Sequence, residues 1–333
     1  MGVGASRRRA RLRMIGASRG IEPRLPPPTP NPSLLGRGIL GALAASLILA
    51  GCTTPQSQAV ATTPPPAEPA AASPRVPGGM QWLYGSGESA ATSIQAYHAF
   101  RDHVLAATRA RPAASVVLAE GSTLENPAFV PCADKPIAVI LDADETVLQN
   151  LGYEHDEARR GLSYDQARWN RWEQTGAAAV APIPGAVTAL RAIRDAGVTV
   201  IFNSNRQAAN AAQNAAAIEG AGLGPARHGE TMFLQGDVAP GSAKDPRRAA
   251  IANRYCVVAM AGDQLGDFSD LFNARSLSVP DRRRAASSGR FATLWGNGWF
   301  MFANPVYGPG LRGTFDEVFP ADKRWSDPQG GNR

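Results

Sequence analysis

Three short stretches of the chain are apolar without alternation. They are Ile137-Ala-Val-Ile-Leu141, Val198-Thr-Val-Ile-Phe202 and Cys256-Val-Val-Ala-Met260. A strand with one solvated face alternates, so an unbroken run of this length predicts a strand buried on both faces. Between and before these runs the apolar positions fall at helical spacing. Ile94, Tyr97, Phe100 and Val104 mark one amphipathic helix over Ala90 to Ala107. Further helices are predicted over Pro184 to Ala196, Gln207 to Ala221 and Pro246 to Arg254, the first opened by a Pro-Gly pair that suits a helix start. Buried strands alternating with helices imply an α/β fold, a Rossmann-like parallel sheet covered by helices on both faces. The stretch from Tyr153 to Trp172 breaks this pattern with aromatic and charged residues, and reads as a helical cap inserted at about 150–182.

One further apolar run, Ile39 to Ala50, is too short to span a bilayer comfortably. It follows Arg7, Arg8, Arg9, Arg11, Arg13, Arg19 and Arg24, so much of the formal net charge of +6 reads as the basic flank of an export signal. The remainder is close to neutral, which argues against a nucleic-acid polymer as partner. The run ends in Leu49-Ala50-Gly51-Cys52 and resembles the lipobox of bacterial lipoproteins. That resemblance implies cleavage before Cys52, lipidation of Cys52 and a membrane anchor without a transmembrane helix. An ordinary secretory signal is the alternative. Thr53, in place of an Asp, leans towards the outer membrane, on its periplasmic or outer side, and Met14 is a second candidate start. The expected organisation is a signal over 1–51, a Pro/Ala-rich tether over 52–80, a folded domain over 81–325 and a short tail over 326–333. Cys132 and Cys256 each sit at the start of a strand pattern, and pair if those strands are neighbours; two separate buried thiols are the other reading.

Ligands of parallel sheets bind beyond the carboxyl ends of the strands. Polar residues gather at those positions: Asp142-Ala-Asp-Glu-Thr146, Asn203-Ser-Asn-Arg206 and Gly262-Asp-Gln-Leu-Gly-Asp-Phe268. Two carboxylates one residue apart on a turn repel unless a cation or a shared proton compensates. Phosphoryl transfer uses such a pair, one carboxylate to attack phosphorus and one acid to protonate the leaving oxygen. The Asp142-x-Asp144-x-Thr146 block, Ser204 after the second strand, Lys244 ahead of a helix, and Asp263 with Asp267 after the last strand resemble, in order, the four signatures of the haloacid dehalogenase superfamily.

That resemblance implies roles. Asp142 would be the nucleophile that forms an aspartyl-phosphate, and Asp144 the acid and then the base. Ser204, with Asn205 beside it, and Lys244 would hold phosphate oxygens. Mg²⁺ would be held by the Asp142 carboxylate, the Asp144 carbonyl and Asp263, with Asp267 a ligand or a neighbour of one. Arg206 and Arg247 read as surface or supporting residues. Asp144 separates the chain from dehalogenases and transport ATPases within the superfamily, and export separates it from mutases.

The lipobox, the block from Asp142 to Asn150, Gly-Asp-x-Leu-x-Asp-Phe and Asn304-Pro-Val-Tyr-Gly308 together look like the secreted lipoprotein acid phosphatases, also described as lipoprotein 5′-nucleotidases. The long N-terminus, the short tail and Pro246 depart from that pattern. The resemblance implies hydrolysis of phosphate monoesters outside the cytoplasm, nucleoside monophosphates among them, at acidic pH. Tyr153 and Tyr307 are then candidates to stack on a base. Trp169 and Trp172 share a helix face and read chiefly as cap packing, Trp295 and Trp299 as core, and the four histidines show no metal-ligand spacing. The rival from another class is a non-catalytic surface lipoprotein that captures a small ligand with the same fold.

Overall fold

In the computed structural model, residues 75–328 are described. The signal, Cys52 and nearly all of the tether expected from the sequence lie outside them. In chain order the elements that position the site are helices α1 (Gly78–Gly85) and α2 (Gly87–Arg109), a hairpin β1 (Ala114–Leu118) and β2 (Phe129–Pro131), and strand β3 (Ile137–Leu141). Next come β4 (Leu148–Gln149), helices α3 (Leu151–Arg160) and α4 (Gln166–Thr175), and β5 (Ala181–Pro182). The rest is α5 (Ala186–Asp195), β6 (Thr199–Gln207), α6 (Ala211–Gly220), β7 (Met232–Gln235), α7 (Asp245–Arg254), β8 (Cys256–Gly262) and β9 (Trp299–Met301).

Five strands form one sheet in the order β7-β6-β3-β8-β9, every neighbouring pair parallel. The apolar runs are buried on both faces because successive side chains enter different cores. Val139, Leu141, Val200 and Phe202 pack with Phe100, Leu190, Ile193 and Ile218 from α2, α5 and α6. Ala138, Ile140, Ile201 and Val257 pack with Ile251 of α7 and with Phe268, Phe272 and Trp299. Leu141 stands level with Phe202 and with Ala261, so the chain leaves β3 for Asp142 level with the end of β8, while β6 continues beyond it.

The cap is two helices, α3 and α4, on a neck in which β4 and β5 pair antiparallel. Trp172 wedges between the helices. A Cβ at Gly152 would stand 2.7 Å from Ala179 Cβ and 2.8 Å from the Trp172 ring, and one at Gly176 would stand 2.1 Å from that ring.

Three expectations need correction. The folded domain begins at α1, inside the expected tether: Gly79 packs so closely on the 304–308 loop that a Cβ there would sit 2.1 Å from the Pro305 carbonyl oxygen. The second strand does not stop at Phe202 but runs on to Gln207, because β7 pairs with it as far as Gln207–Gln235. The helix expected from Gln207 accordingly starts at Ala211, after a single 3₁₀ turn.

The two cysteines are bonded. Cys256 opens β8 opposite Ile137, and Cys132 ends the segment that enters β3, so the bridge ties the amino-terminal edge of the sheet, the edge opposite Asp142. Its partners are 124 residues apart, and closing so long a loop restricts the unfolded chain strongly. Replacing both cysteines by Ser should lower unfolding free energy by about 2–5 kcal/mol in denaturant titrations. Far-UV circular dichroism at low temperature should stay unchanged, since the bridge lies at the edge of the sheet opposite Asp142.

Candidate active site

The turns that follow β3 and β8 and the last residues of β6 meet in a cleft of about 710 Å³. Its floor includes Asp142, Asp144, Asn205, Lys244, Asp263 and Asp267. Asp142 is placed by its own backbone, whose N–H donates to the Ala261 carbonyl at 3.0 Å and so continues the sheet ladder. Lys244, just before α7, reaches across the sheet end. Its Nζ donates to Asp142 Oδ1 at 2.5 Å and to Asp267 Oδ1 at 2.6 Å. Asp263 accepts from the Thr146 hydroxyl at 3.2 Å, from Gln264 Nε2 at 2.9 Å and from Asn304 Nδ2 at 2.8 Å.

Oxygens of Asp142, Asp263 and Asp267 lie within 4.8 Å of one another. Burial pushes the Asp142 carboxyl well above the usual carboxylate range; Lys244 opposes this, and Asp267 and Asp263 add to it. Burial and the neighbouring Asp267 push Asp263 up to about 7, against the hydrogen bonds from Asn304 and Gln264. Burial works against the Lys244 ammonium, yet Asp142 and Asp267 hold it above its ordinary value. Three carboxyl groups share one ammonium, so the fully ionised cluster would carry two uncompensated negative charges, all on hard oxygen donors. A divalent cation of the Mg²⁺ type matches both the charge deficit and the donor set.

Asp144 does not join that cluster. Its Oδ1 accepts from Arg206 Nε at 2.9 Å, from Arg206 Nη2 at 2.8 Å and from Asn150 Nδ2 at 2.9 Å. Its Oδ2 lies 3.5 Å from the Ser204 hydroxyl. Of the expected phosphate-holding residues, Asn205 and Lys244 line the cleft, whereas Ser204 is buried beside it.

Neither Arg206 nor Arg247 is a surface residue, contrary to one half of the sequence reading: each is 2% exposed. Arg206 neutralises Asp144 in the interior. Arg247 donates to the Ser204 carbonyl and to Asn205 Oδ1, bracing the end of β6 from α7. Arg206 is buried because β6 runs past Phe202 and carries it beneath the cap instead of into a surface loop.

The cap supplies the other wall, with Tyr153, Glu154, Tyr164 and Trp169, and the 304–308 loop adds the Tyr307 ring. Tyr153 meets Trp169 edge to face at 4.9 Å, and Trp169 also faces Arg206. Trp172 is internal to the cap, so the two tryptophans of one helix face part company: one packs, the other borders the cleft. The Tyr307 hydroxyl is already engaged, donating to Glu145. Trp299 is buried core and Trp295 packs on it from a half-buried position. Among the described residues no histidine joins the acidic cluster.

Sequence reading passed over Glu145, Asn150 and Glu154. Glu145 is 1% exposed and takes donors from Tyr84, Asn150 and Tyr307. Burial, and then Asp144, push it up to about 7 against those hydrogen bonds. The one signal available was its place in the Asp142–Asn150 block.

The sequence profile of HAD superfamily, subfamily IIIB (acid phosphatase), matches residues 78–310. Two solved structures are similar to the chain. One is the class C acid phosphatase from Bacillus anthracis with tungstate bound, at 24% identity over 70% of this chain and 84% of that chain, with a TM-score of 0.55. The other, the class C acid phosphatase from the same organism, is 25% identical over the same shares, with a TM-score of 0.56.

Glu154 generates a pH prediction. Burial, and then the nearby Glu145 and Glu157, push its carboxyl from 4.5 up to about 8, and its Oε2 has no hydrogen-bond partner. The folded protein therefore binds this proton more tightly than the unfolded chain does. Its stabilising contribution is complete below about pH 4.5 and is lost as pH rises through about 8. Denaturant unfolding between pH 5 and 8 should show stability falling with pH, and Glu154→Gln should flatten that slope. Parallel slopes for the two proteins would refute the assignment.

Proposed function

Because the chain belongs to the acid phosphatases of HAD superfamily subfamily IIIB, we propose that it hydrolyses phosphate monoesters through an Asp142 aspartyl-phosphate, with Mg²⁺ as cofactor and nucleoside monophosphates as substrates, outside the cytoplasm. The observation that carries this reading is the convergence of Asp142, Asp263, Asp267 and Lys244 on the cleft floor. Tungstate, bound by the Bacillus anthracis enzyme, is an oxyanion like phosphate, and on this floor Lys244 offers an oxyanion positive charge.

An oxygen of the Asp142 carboxylate attacks phosphorus, and the bond from phosphorus to the leaving oxygen breaks. Asp144 gives its proton to that oxygen, so the alcohol departs neutral. Water then attacks phosphorus, Asp144 takes the proton, and the bond to Asp142 breaks to release inorganic phosphate. Lys244 holds phosphoryl oxygens and offsets their charge as it moves between attacking and leaving atoms. Asn205, on the same floor, would donate its side-chain amide N–H to these oxygens. A bound divalent cation supplies Lewis-acid stabilisation of that charge, with Asp142, Asp263, Asp267 and the Asp144 carbonyl to hold it. Turnover in acidic solution is what membership of the acid phosphatase family leads us to expect.

The aromatic wall supports nucleotides. Each base stacked on an aromatic ring gains about 1–3 kcal/mol, and Tyr153, Tyr164, Trp169 and Tyr307 border a cleft large enough for one. Export is supported by the Cys132–Cys256 bridge, since disulfides persist in oxidising compartments.

Phosphate release from a panel of monoesters, with and without Mg²⁺, tests the chemistry. Asp142→Asn should abolish turnover, chelation should reduce it severely, and activity should fall above neutral pH. Nucleoside monophosphates should exceed small alkyl phosphates in kcat/KM by about tenfold or more, as one stacked base allows. Full activity in Asp142→Asn would sink the mechanism, and failure with every monoester would favour ligand capture. Separately, Cys52→Ser should move the protein from the membrane to the soluble fraction; unchanged membrane association would count against the lipid anchor.

A further inference from the structure

Glu145 is the acid of the Asp142–Thr146 turn that does not border the cleft. Its backbone is left-handed, at φ 51°, a conformation that a non-glycine residue rarely adopts. Its carboxylate is held by four donors. Oε1 accepts from the Tyr84 hydroxyl at 3.0 Å and the Asn150 N–H at 3.0 Å; Oε2 accepts from the Tyr307 hydroxyl at 2.5 Å and Asn150 Nδ2 at 2.9 Å. These donors come from α1, from the root of the cap and from the 304–308 loop. Four donors satisfy an ionised carboxylate as completely as its lone pairs permit.

Asn150 carries the constraint onward. The same Nδ2 donates to Asp144 Oδ1 at 2.9 Å, and its Oδ1 accepts from Arg206 Nη2 at 2.8 Å. Arg206 in turn grips Asp144. The Asp144 carboxyl is therefore oriented by two groups, and the amide of one of them is fixed by Glu145.

We propose that Glu145 is a positioning residue for Asp144: held by Tyr84 and Tyr307, it orients through Asn150 the carboxyl that delivers a proton to the leaving oxygen. This rests on the assignment of Asp144 as general acid in the preceding section. Glu145 itself touches neither substrate nor reacting atoms.

Leaving-group chemistry separates positioning from plain structural support. An alkoxide departs slowly without a proton, whereas p-nitrophenolate departs without help. The ratio kcat/KM covers steps only through formation of the aspartyl-phosphate, so the later base role of Asp144 does not enter. A group misplaced by about 1 Å can cost up to about 100-fold, and a general acid contributes roughly 10²–10⁴-fold.

With the full chain and Mg²⁺, Glu145→Gln should lower kcat/KM for adenosine 5′-monophosphate by about 10- to 100-fold, and for p-nitrophenyl phosphate by less than about threefold. Tyr84→Phe and Tyr307→Phe keep their rings, so they secure the test if the buried Gln variant fails to fold. They should show the same bias at smaller size. Asp144→Asn serves as the reference and should show the bias most strongly. If Asp144→Asn loses equally on both esters, the acid assignment falls and this inference falls with it. If Asp144→Asn shows the bias but the Glu145, Tyr84 and Tyr307 variants lose equally on both esters, or lose nothing, positioning is overturned and the acid assignment stands.

Discussion

The structure turns on one electrostatic constraint: several carboxylates are buried together where parallel strands end. Taking an ionised carboxylate from water costs several kcal/mol unless cations and hydrogen bonds replace the lost hydration. Every segment that enters the cleft contributes to that replacement. Lys244 sits between Asp142 and Asp267, Arg206 covers Asp144, and Thr146, Gln264 and Asn304 donate to Asp263. The sheet makes this possible by bringing residues far apart in sequence to one level, since Leu141, Phe202 and Ala261 stand in register. Compensation is uneven, and the unevenness is informative. Asp144 is neutralised within the protein, whereas the group of Asp142, Asp263 and Asp267 exceeds what Lys244 can balance.

Two carboxylates one residue apart thus experience opposite surroundings. Asp142 faces the cation-deficient side, where a divalent ion and an incoming phosphoryl group would meet. Asp144 faces the cap, where Arg206 and Asn150 fix its orientation. The division of labour proposed for Asp142 and Asp144 requires such an asymmetry, because chemically identical groups can differ in role only through their environments. Glu145 completes the pattern by turning away from both, into a cage of hydroxyl and amide donors. Its left-handed backbone is the local cost of reversing the chain so sharply that Asp142 and Asp144 both keep access to the cleft.

Legibility in the sequence followed physical range. The central strands, the parallel sheet and the gathering of Asp142, Asp263 and Lys244 were readable, because burial on two faces and strand-end chemistry leave local patterns. Met232–Gln235 was not readable: at four residues it carries no periodicity, and only its pairing with β6 makes it a strand. The same pairing extends β6 and buries Arg206, which as an isolated residue reads as surface. Gly78-Gly79 looked like tether because composition cannot reveal that Gly79 must fit against the Pro305 backbone. Glu145 stayed invisible for a similar reason, since its partners lie 61 and 162 residues away.

The contacts made by Tyr84 and the 304–308 loop give the two ends of the described chain a common purpose. Asn304 donates to Asp263, Tyr307 donates to Glu145, and Tyr84 meets Glu145 from the opposite terminus. Neither segment contributes a strand to the sheet, yet both hold its catalytic edge, one at the acidic cluster and one at the acid's support. The cap is rooted in the same knot, because Asn150 both receives the chain from β4 and opens α3. On the proposed assignment of Asp144 as the acid, the root of the cap and the proton donor are joined by this one side chain, whose amide donates to Asp144 at 2.9 Å.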